Sequence, residues 1–192
     1  MSLIYQYKLF NENMGKGGKF SNRWNSKNTM IAIWLGSNDV RFSTPITPSN
    51  ILYTSIVRIM FIYIEKMYKL GVKNFLILNI PPLHKAPLNK SGEFDYYETC
   101  VGNFNDLLIA HSSHMMKQHK DVNVILYNTN EEYEYVMDNY QEFNLKNSRD
   151  KWNSFNNTNL NDFFWRDRSH LTPMGNKILA DDINDLLVSI NK

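Results

Sequence analysis

Along this chain, short runs of consecutive apolar residues alternate with longer stretches in which apolar positions recur every three or four residues. Met30-Ile31-Ala32-Ile33-Trp34-Leu35 is the first such run, ended by Gly36. Its unbroken apolarity predicts a strand of a parallel sheet buried on both faces. From Pro48 onward, Leu52, Ile56, Ile59, Met60, Tyr63, Met67 and Leu70 recur at helical spacing, opposite Ser55, Arg58, Glu65 and Lys69. Gly71 closes that predicted helix as its C-cap. Residues 74–80 predict a second buried strand, halted by Pro81-Pro82, which cannot continue a central ladder. A helix over 96–119 follows, with Val101, Phe104, Leu107, Leu108 and Met115 as its apolar stripe. Residues 122–127 predict a third strand and 131–140 a short helix.

The pattern then fades. Residues 144–161 are rich in asparagine with little apolar periodicity, which predicts a long surface loop. Thr172 and Pro173 have the chemistry of an N-cap and a first-turn proline. They open a last helix whose apolar face is Ile178, Leu179, Ile183, Leu186, Leu187 and Ile190. Strand and helix alternate, so the expected class is α/β with a parallel sheet and right-handed crossovers, without internal repeats. A chain of 192 residues, 43% of them hydrophobic, has material for one core, so residues 1–192 are expected to form a single domain.

Composition narrows the partners. The net charge of +2 arises from scattered residues with no block of one sign, which argues against nucleic acid. Cys100 is the only cysteine, so one chain can form neither a disulfide framework nor a cysteine-based zinc site. The opening residues lack the apolar core of a signal peptide. Arg58, Glu65, Lys66 and Lys69 interrupt the most apolar segment, 51–70, too often for a membrane span. His111, His114 and His119 fall on one predicted helix without a His-Glu-x-x-His arrangement, so a solvated face is expected there rather than a metal site. Asn89-Lys90-Ser91 and Asn156-Asn157-Thr158 are glycosylation sequons, meaningful only on a secretory route.

Two short segments carry candidate chemistry. Asp167 precedes His170 by three residues, just ahead of the last helix. A carboxylate beside an imidazole fixes its tautomer and stabilises the imidazolium formed when the ring accepts a proton from a nucleophile. The same segment also reads as a helix-entry loop in which Asp bonds local backbone. Gly36-Ser37-Asn38-Asp39 follows the first strand, at the carboxyl end where open α/β sheets gather functional groups. There the Asn38 amide can donate to an oxyanion, although Gly, Asn and Asp are also what a strand-ending turn needs. Ser37 and Ser169 sit in positions that suggest no exposed nucleophile elbow, and Ser21, Ser26 and Ser43 have no motif around them. No Gly-x-Ser-x-Gly occurs. Of the four tryptophans, Trp165 stands nearest the Asp-His pair, where it would offer a sugar ring a stacking surface; core packing is the commoner fate of the residue.

Taken together, Gly-x-Asn-Asp at 36–39 and Asp-x-x-His at 167–170 before a helix resemble the SGNH/GDSL ester hydrolases. Ile33-Trp34-Leu35, the proline loop Ile80-Pro81-Pro82-Leu83-His84-Lys85-Ala86-Pro87 and Phe164-Trp165-Arg166-Asp167 are most similar to the fungal carbohydrate acetylesterase branch. The resemblance covers nearly the whole chain. It implies a flavodoxin-like three-layer α/β/α fold, a small acyl ester or acetylated carbohydrate as substrate, and no cofactor or metal. It also implies His170 as general base, Asp167 as its orienting partner and Asn38 as oxyanion donor. The family's Gly-Asp-Ser nucleophile block has no counterpart ahead of Gly36. The chain is therefore expected to be the C-terminal two thirds of a domain lacking its opening β-α-β unit, and inactive alone. In the strand order 2-1-3-4-5 the missing first strand would pair with the strand ending at Leu35, so that edge is expected to be open to pairing with another chain. The alternative is a non-catalytic remnant that at most binds a glycan or pairs with a complementary chain.

Overall fold

The computed structural model describes residues 2–43, 49–89, 94–156 and 158–190; the expected helix start at Pro48 and the sequon residues Lys90, Ser91 and Asn157 lie outside these. In chain order the elements are α1 (Leu3–Met14), β1 (Met30–Ile33), α2 (Ser37–Phe42), α3 (Ser49–Lys69), β2 (Asn74–Leu78), α4 (Phe94–Gln118), β3 (Asn123–Tyr127), α5 (Thr129–Asp138), β4 (Asn147–Lys151), β5 (Phe163–Trp165) and α6 (Pro173–Ile190). The fold is α/β, and its strands pair in parallel. Its contacts define two compact units interleaved along the sequence: residues 1–36, 42–79 and 102–127 in the first, and 37–41, 80–101 and 128–192 in the second.

The first unit is built on a three-stranded sheet in the order β1-β2-β3. β2 is central, and Phe75, Leu76, Ile77 and Leu78 along it are buried, as an apolar run between two neighbours should be. Removing one such side chain from water contributes about 1.5–3 kcal/mol. β1 corrects an expectation: Ile33 is buried, but Met30 and Ala32 are exposed, because β1 pairs only with β2. α3 corrects another, since its buried face runs through Tyr53, Val57, Met60, Phe61, Ile64 and Met67, while Ile59 is 41% exposed. The predicted stripe was rotated because apolar residues surround most of this helix and leave its phase ambiguous. α1 was not foreseen; the Ser2 hydroxyl accepts from the Tyr5 N–H at its start, and none of its residues is buried. Beside β1 it leaves a cleft of about 220 Å³ lined by Leu3, Tyr7, Phe10, Ile31, Ile33 and Trp34, among others.

The second unit holds the stretch expected to be a loop. Instead β4 pairs in parallel with β5, with a register shift between Asn147 and Lys151. The β4 sequence Asn-Ser-Arg-Asp-Lys has no apolar alternation to announce a strand, and its one buried residue, Ser148, donates to the Met137 carbonyl at 2.8 Å. β5 is wholly buried, with Phe164 and Trp165 packed edge-on against Tyr133 of α5. α6 begins as predicted, with the Thr172 hydroxyl accepting from the Gly175 N–H at 3.0 Å and donating to the Phe163 carbonyl at 2.6 Å. Its apolar face is only partly used: Ile178 and Leu179 are buried, whereas Ile190 is 52% exposed. Among the described residues no helix is long and apolar enough to cross a membrane.

Candidate functional site

The site is assembled from a turn after β5. The Thr172 N–H donates to the Phe164 carbonyl at 3.0 Å, Trp165 forms an antiparallel bridge with Leu171, and the Arg166 N–H donates to the His170 carbonyl at 2.8 Å. Those bonds close residues 166–170 into a tight loop whose base is the buried strand. Gly175 lets α6 approach closely, since a Cβ there would lie 2.8 Å from the Phe164 carbonyl oxygen. The loop is therefore clamped between a strand and the first turn of a helix.

Within it, Asp167 is the organising group. Its Oδ1 accepts from the Ser169 and His170 N–H groups, both at 3.0 Å. The same carboxylate meets His170 Nδ1 at 2.9 Å through Oδ1 and 3.0 Å through Oδ2. Both readings of the segment thus hold at once: Asp167 bonds local backbone and grips the imidazole. Partial burial pushes the Asp167 carboxyl up, but the Ser169 N–H, the His170 ring and the His170 N–H outweigh it and hold it below the usual carboxylate value. An ionised Asp167 fixes the ring proton on Nδ1 and leaves Nε2 with its lone pair. The His170 side chain is 74% exposed, so a base at Nε2 faces solvent.

Asn38 lies in the first turn of α2, in the same unit as the Asp-His loop. The turn from β1 into α2 needs Gly36, whose φ of 118° is costly for any residue with a Cβ. Asn38 is exposed, and among the described residues its amide makes no hydrogen bond, so its donors are open. One helical turn on, Arg41 Nη1 donates to Ser169 Oγ at 3.4 Å, between the two loop residues of interest. Asp167 and His170 are thus in direct contact, and Asn38 is tied to their loop through its neighbour. Arg41 carried no motif in the sequence; only the fold brings its guanidinium to the loop.

Trp165 does not take the place suggested for it. It is 2% exposed, wedged against Tyr133 and Phe164, so its faces are closed to a sugar ring. Its indole N–H has no acceptor among the described residues. Ser169 has its hydroxyl on Arg41 and Ser43 has its hydroxyl on Tyr53 at 2.6 Å, and no serine among the described residues bonds His170. The helix-borne histidines are less solvated than expected. His111 stacks on Phe61 at 5.1 Å and His119 Nε2 meets Glu65 at 2.9 Å, while His114 is exposed. Among the described residues no group of three or more His, Cys, Asp or Glu is placed to hold a metal ion.

Comparison with known proteins agrees with this architecture. A family model described as GDSL-like Lipase/Acylhydrolase matches residues 5–183. An acetylesterase of Thermothelomyces thermophilus is 24% identical over 147 residues, covering 74% of this chain and 48% of that protein. A GDSL esterase/lipase of Arabidopsis thaliana is 26% identical over 142 residues, covering 64% of this chain and 38% of that protein. The chain thus spans about half or less of these relatives.

Proposed function

We propose, since the chain belongs to the GDSL-like lipase/acylhydrolase family, that residues 1–192 form one domain carrying the proton-transfer half of an ester hydrolase. Acyl esters are the substrates the family implies, and small acyl esters or acetylated carbohydrates are the class proposed here, by analogy with the acetylesterase relative. In this reading His170 Nε2 takes the proton of a serine hydroxyl as its oxygen attacks the acyl carbon. Asp167 steadies the imidazolium that results, and the Asn38 amide donates to the oxyanion. Collapse of the tetrahedral intermediate returns the proton from Nε2 to the leaving alcohol, and water repeats the cycle on the acyl-enzyme. Loss of one oxyanion donor of this kind costs about 2.7–4 kcal/mol of transition-state stabilisation. The observation that carries the reading is the Asp167 carboxylate seated on His170 Nδ1 with the ring's other nitrogen open.

By itself the chain is proposed to be inactive, because no serine among the described residues has a nucleophile's setting. A fluorophosphonate probe read by intact mass, with an aryl acetate assay alongside, tests this: neither adduct nor turnover is expected. An adduct that vanishes in His170→Ala would reveal a serine in reach of the base and overturn the inactivity. Nitrogen NMR of the His170 ring tests the site itself, with the proton expected on Nδ1; a ring protonated at Nε2 near neutral pH would exclude it as the base.

A second reading, the non-catalytic remnant, draws on the first unit. β1 has a single ladder partner, Met30 and Trp34 are 38% and 40% exposed, and the cleft against α1 lies alongside. Such an edge presents backbone donors and acceptors that another strand can take up. In that role the chain pairs with a complementary segment, or binds a glycan, without performing chemistry. Concentration-dependent association, removed by Ala32→Pro on the edge, is the expected signature of pairing; a strictly monomeric chain up to high concentration would dismiss it.

A further inference from the structure

The loop that presents His170 also carries charge that the proton-transfer reading does not use. Arg166 and Arg168 stand on either side of Asp167, and both are exposed. Among the described residues neither guanidinium has an ion-pair, hydrogen-bond or ring partner. This is not the habit of the second unit. Lys85, Lys146, Arg149 and Lys177 each meet a carboxylate there, from Glu134, Asp162, Asp138 and Asp181 respectively. The described cations that do not are Lys151, Arg166 and Arg168, and they are neighbours by register or in the chain. Lys151 is the register partner of Trp165, Arg166 and Arg168 follow in the loop, and Arg41 reaches Ser169.

Acidic groups do not cancel this cluster. Asp167 is committed to His170 and to two backbone N–H groups. Asp150 beside Lys151 accepts from the Asn147 amide at 3.2 Å, and Asp39 lies on α2 next to Asn38. The loop geometry keeps the backbones of both arginines beside the base, because the Arg166 N–H is bonded to the His170 carbonyl and Arg168 sits within the same five-residue turn. Unpaired guanidiniums bind carboxylates through two parallel hydrogen bonds, a geometry that neutral hydroxyls cannot satisfy.

We propose that this cluster is a carboxylate subsite, so that the ester offered to His170 is one whose saccharide part bears a carboxylate, with Arg166 and Arg168 as its specificity-determining residues. The proposal rests on the hydrolase reading for what the subsite serves, but not for its existence. Neither arginine takes part in the chemistry; they select and orient the alcohol side of the substrate.

The test uses the full chain and two sugars that differ only in the group at issue, glucuronate and glucose, titrated at low salt with amide NMR as readout. Glucuronate should shift the signals of residues 166–170 saturably, and glucose should not. Raising sodium chloride to about half molar should weaken the effect, since exposed charge pairs are screened over a Debye length of a few ångströms at that strength. The double variant Arg166→Gln/Arg168→Gln, at two exposed positions, should weaken glucuronate binding at least tenfold. Equal response to both sugars, response to neither, or an unchanged double variant would each overturn the subsite. The His170 ring tautomer in the same samples separates the two claims. Glucuronate selectivity beside an Nε2-protonated His170 would remove the hydrolase role and leave the subsite, whereas lost selectivity with Nδ1 still protonated would do the reverse.

Discussion

The first unit, built on β1-β2-β3, and the second, built on β4-β5, solve the problem of holding a strand by opposite means. In the first, β2 is held by two parallel neighbours in continuous register and by four buried apolar side chains in a row. In the second, β5 has three residues and one strand partner in broken register, and it is secured mainly by aromatic packing, a threonine cap and a glycine contact. A regular ladder makes a scaffold. An irregular one lets a loop leave the strand, bend back within five residues and present an imidazole, which is where the candidate chemistry lies.

If that contrast holds, each unit should depend on one large aromatic. Trp165→Ala in the second should cost about 3–5 kcal/mol, the range for emptying a buried large aromatic site. Phe104→Ala, in the core of the first unit with its ring 5.6 Å from that of Tyr53, should cost a similar amount. Chemical denaturation of both variants gives the comparison. A Trp165→Ala effect below about 1 kcal/mol would mean that β5 is not held by its aromatic packing. Trp165→Phe should be milder than volume alone suggests, because it also removes a buried N–H without an acceptor.

Glycines offer a smaller and sharper contrast. Gly175→Ala should cost about 1–3 kcal/mol, because its methyl would meet the Phe164 carbonyl oxygen at 2.8 Å and a backbone atom cannot swing aside. Gly102 lies inside α4 with nothing within 4 Å of an added Cβ, so Gly102→Ala should stabilise by about 0.5–1 kcal/mol through helix propensity. Opposite signs of the shift in thermal midpoint are the expected outcome; a Gly175→Ala variant as stable as the parent chain would show that the α6 approach to β5 is not tight.

The same contrast governs what the sequence made legible. β1, β2 and β3 coincide with apolar runs, although only β2 is buried from Phe75 onward, and α4 and α6 coincide with periodic stripes, the latter only partly buried; the Thr172-Pro173 helix start coincides with its capping chemistry, a signal that reports backbone satisfaction within a few residues. β4 was invisible, since a polar strand at the edge of a two-stranded sheet needs no apolar alternation. α1 escaped because a helix with no buried residue leaves only a weak stripe. Asp167 and His170 were legible as a local spacing that one loop realises. The Arg41 contact with Ser169 spans 128 residues of sequence, and no local pattern encodes it. The burial of Trp165 was equally hidden, because nearness along the chain to a site does not say which way a side chain turns.

The finest contrast lies in how the units respond to acid. His84 of the second unit has a side chain only 5% exposed, and Lys85 holds the Glu134 carboxylate at 2.7 Å, leaving His84 Nε2 3.8 Å from it. Burial pushes His84 below the ordinary histidine value of 6.5, and Lys85 adds to that shift while Glu98 and Glu134 oppose it. Between the lowered folded value and 6.5 the unfolded chain binds more protons than the folded one, so stability rises with pH there and falls on acidification below about 6.5. His111 of the first unit is shifted the same way by burial and by His114, but it is only half-buried. Denaturation midpoints measured from pH 7.5 to 5.5 should therefore flatten more in His84→Gln than in His111→Gln, and the reverse ranking would contradict the burial difference. Asp167 acts in a lower window and with less weight. Its folded value is depressed, so its contribution is present above the ordinary carboxylate value of 3.8 and lost as pH falls through the folded value. A side chain 35% exposed to solvent screens that contribution. Asp167→Asn keeps an oxygen for the Ser169 and His170 N–H groups and removes only the charge beside the imidazole. Its effect on the thermal midpoint should be the smallest of the series, while the His170 ring loses its fixed Nδ1 proton, separating what holds the loop from what orients the base.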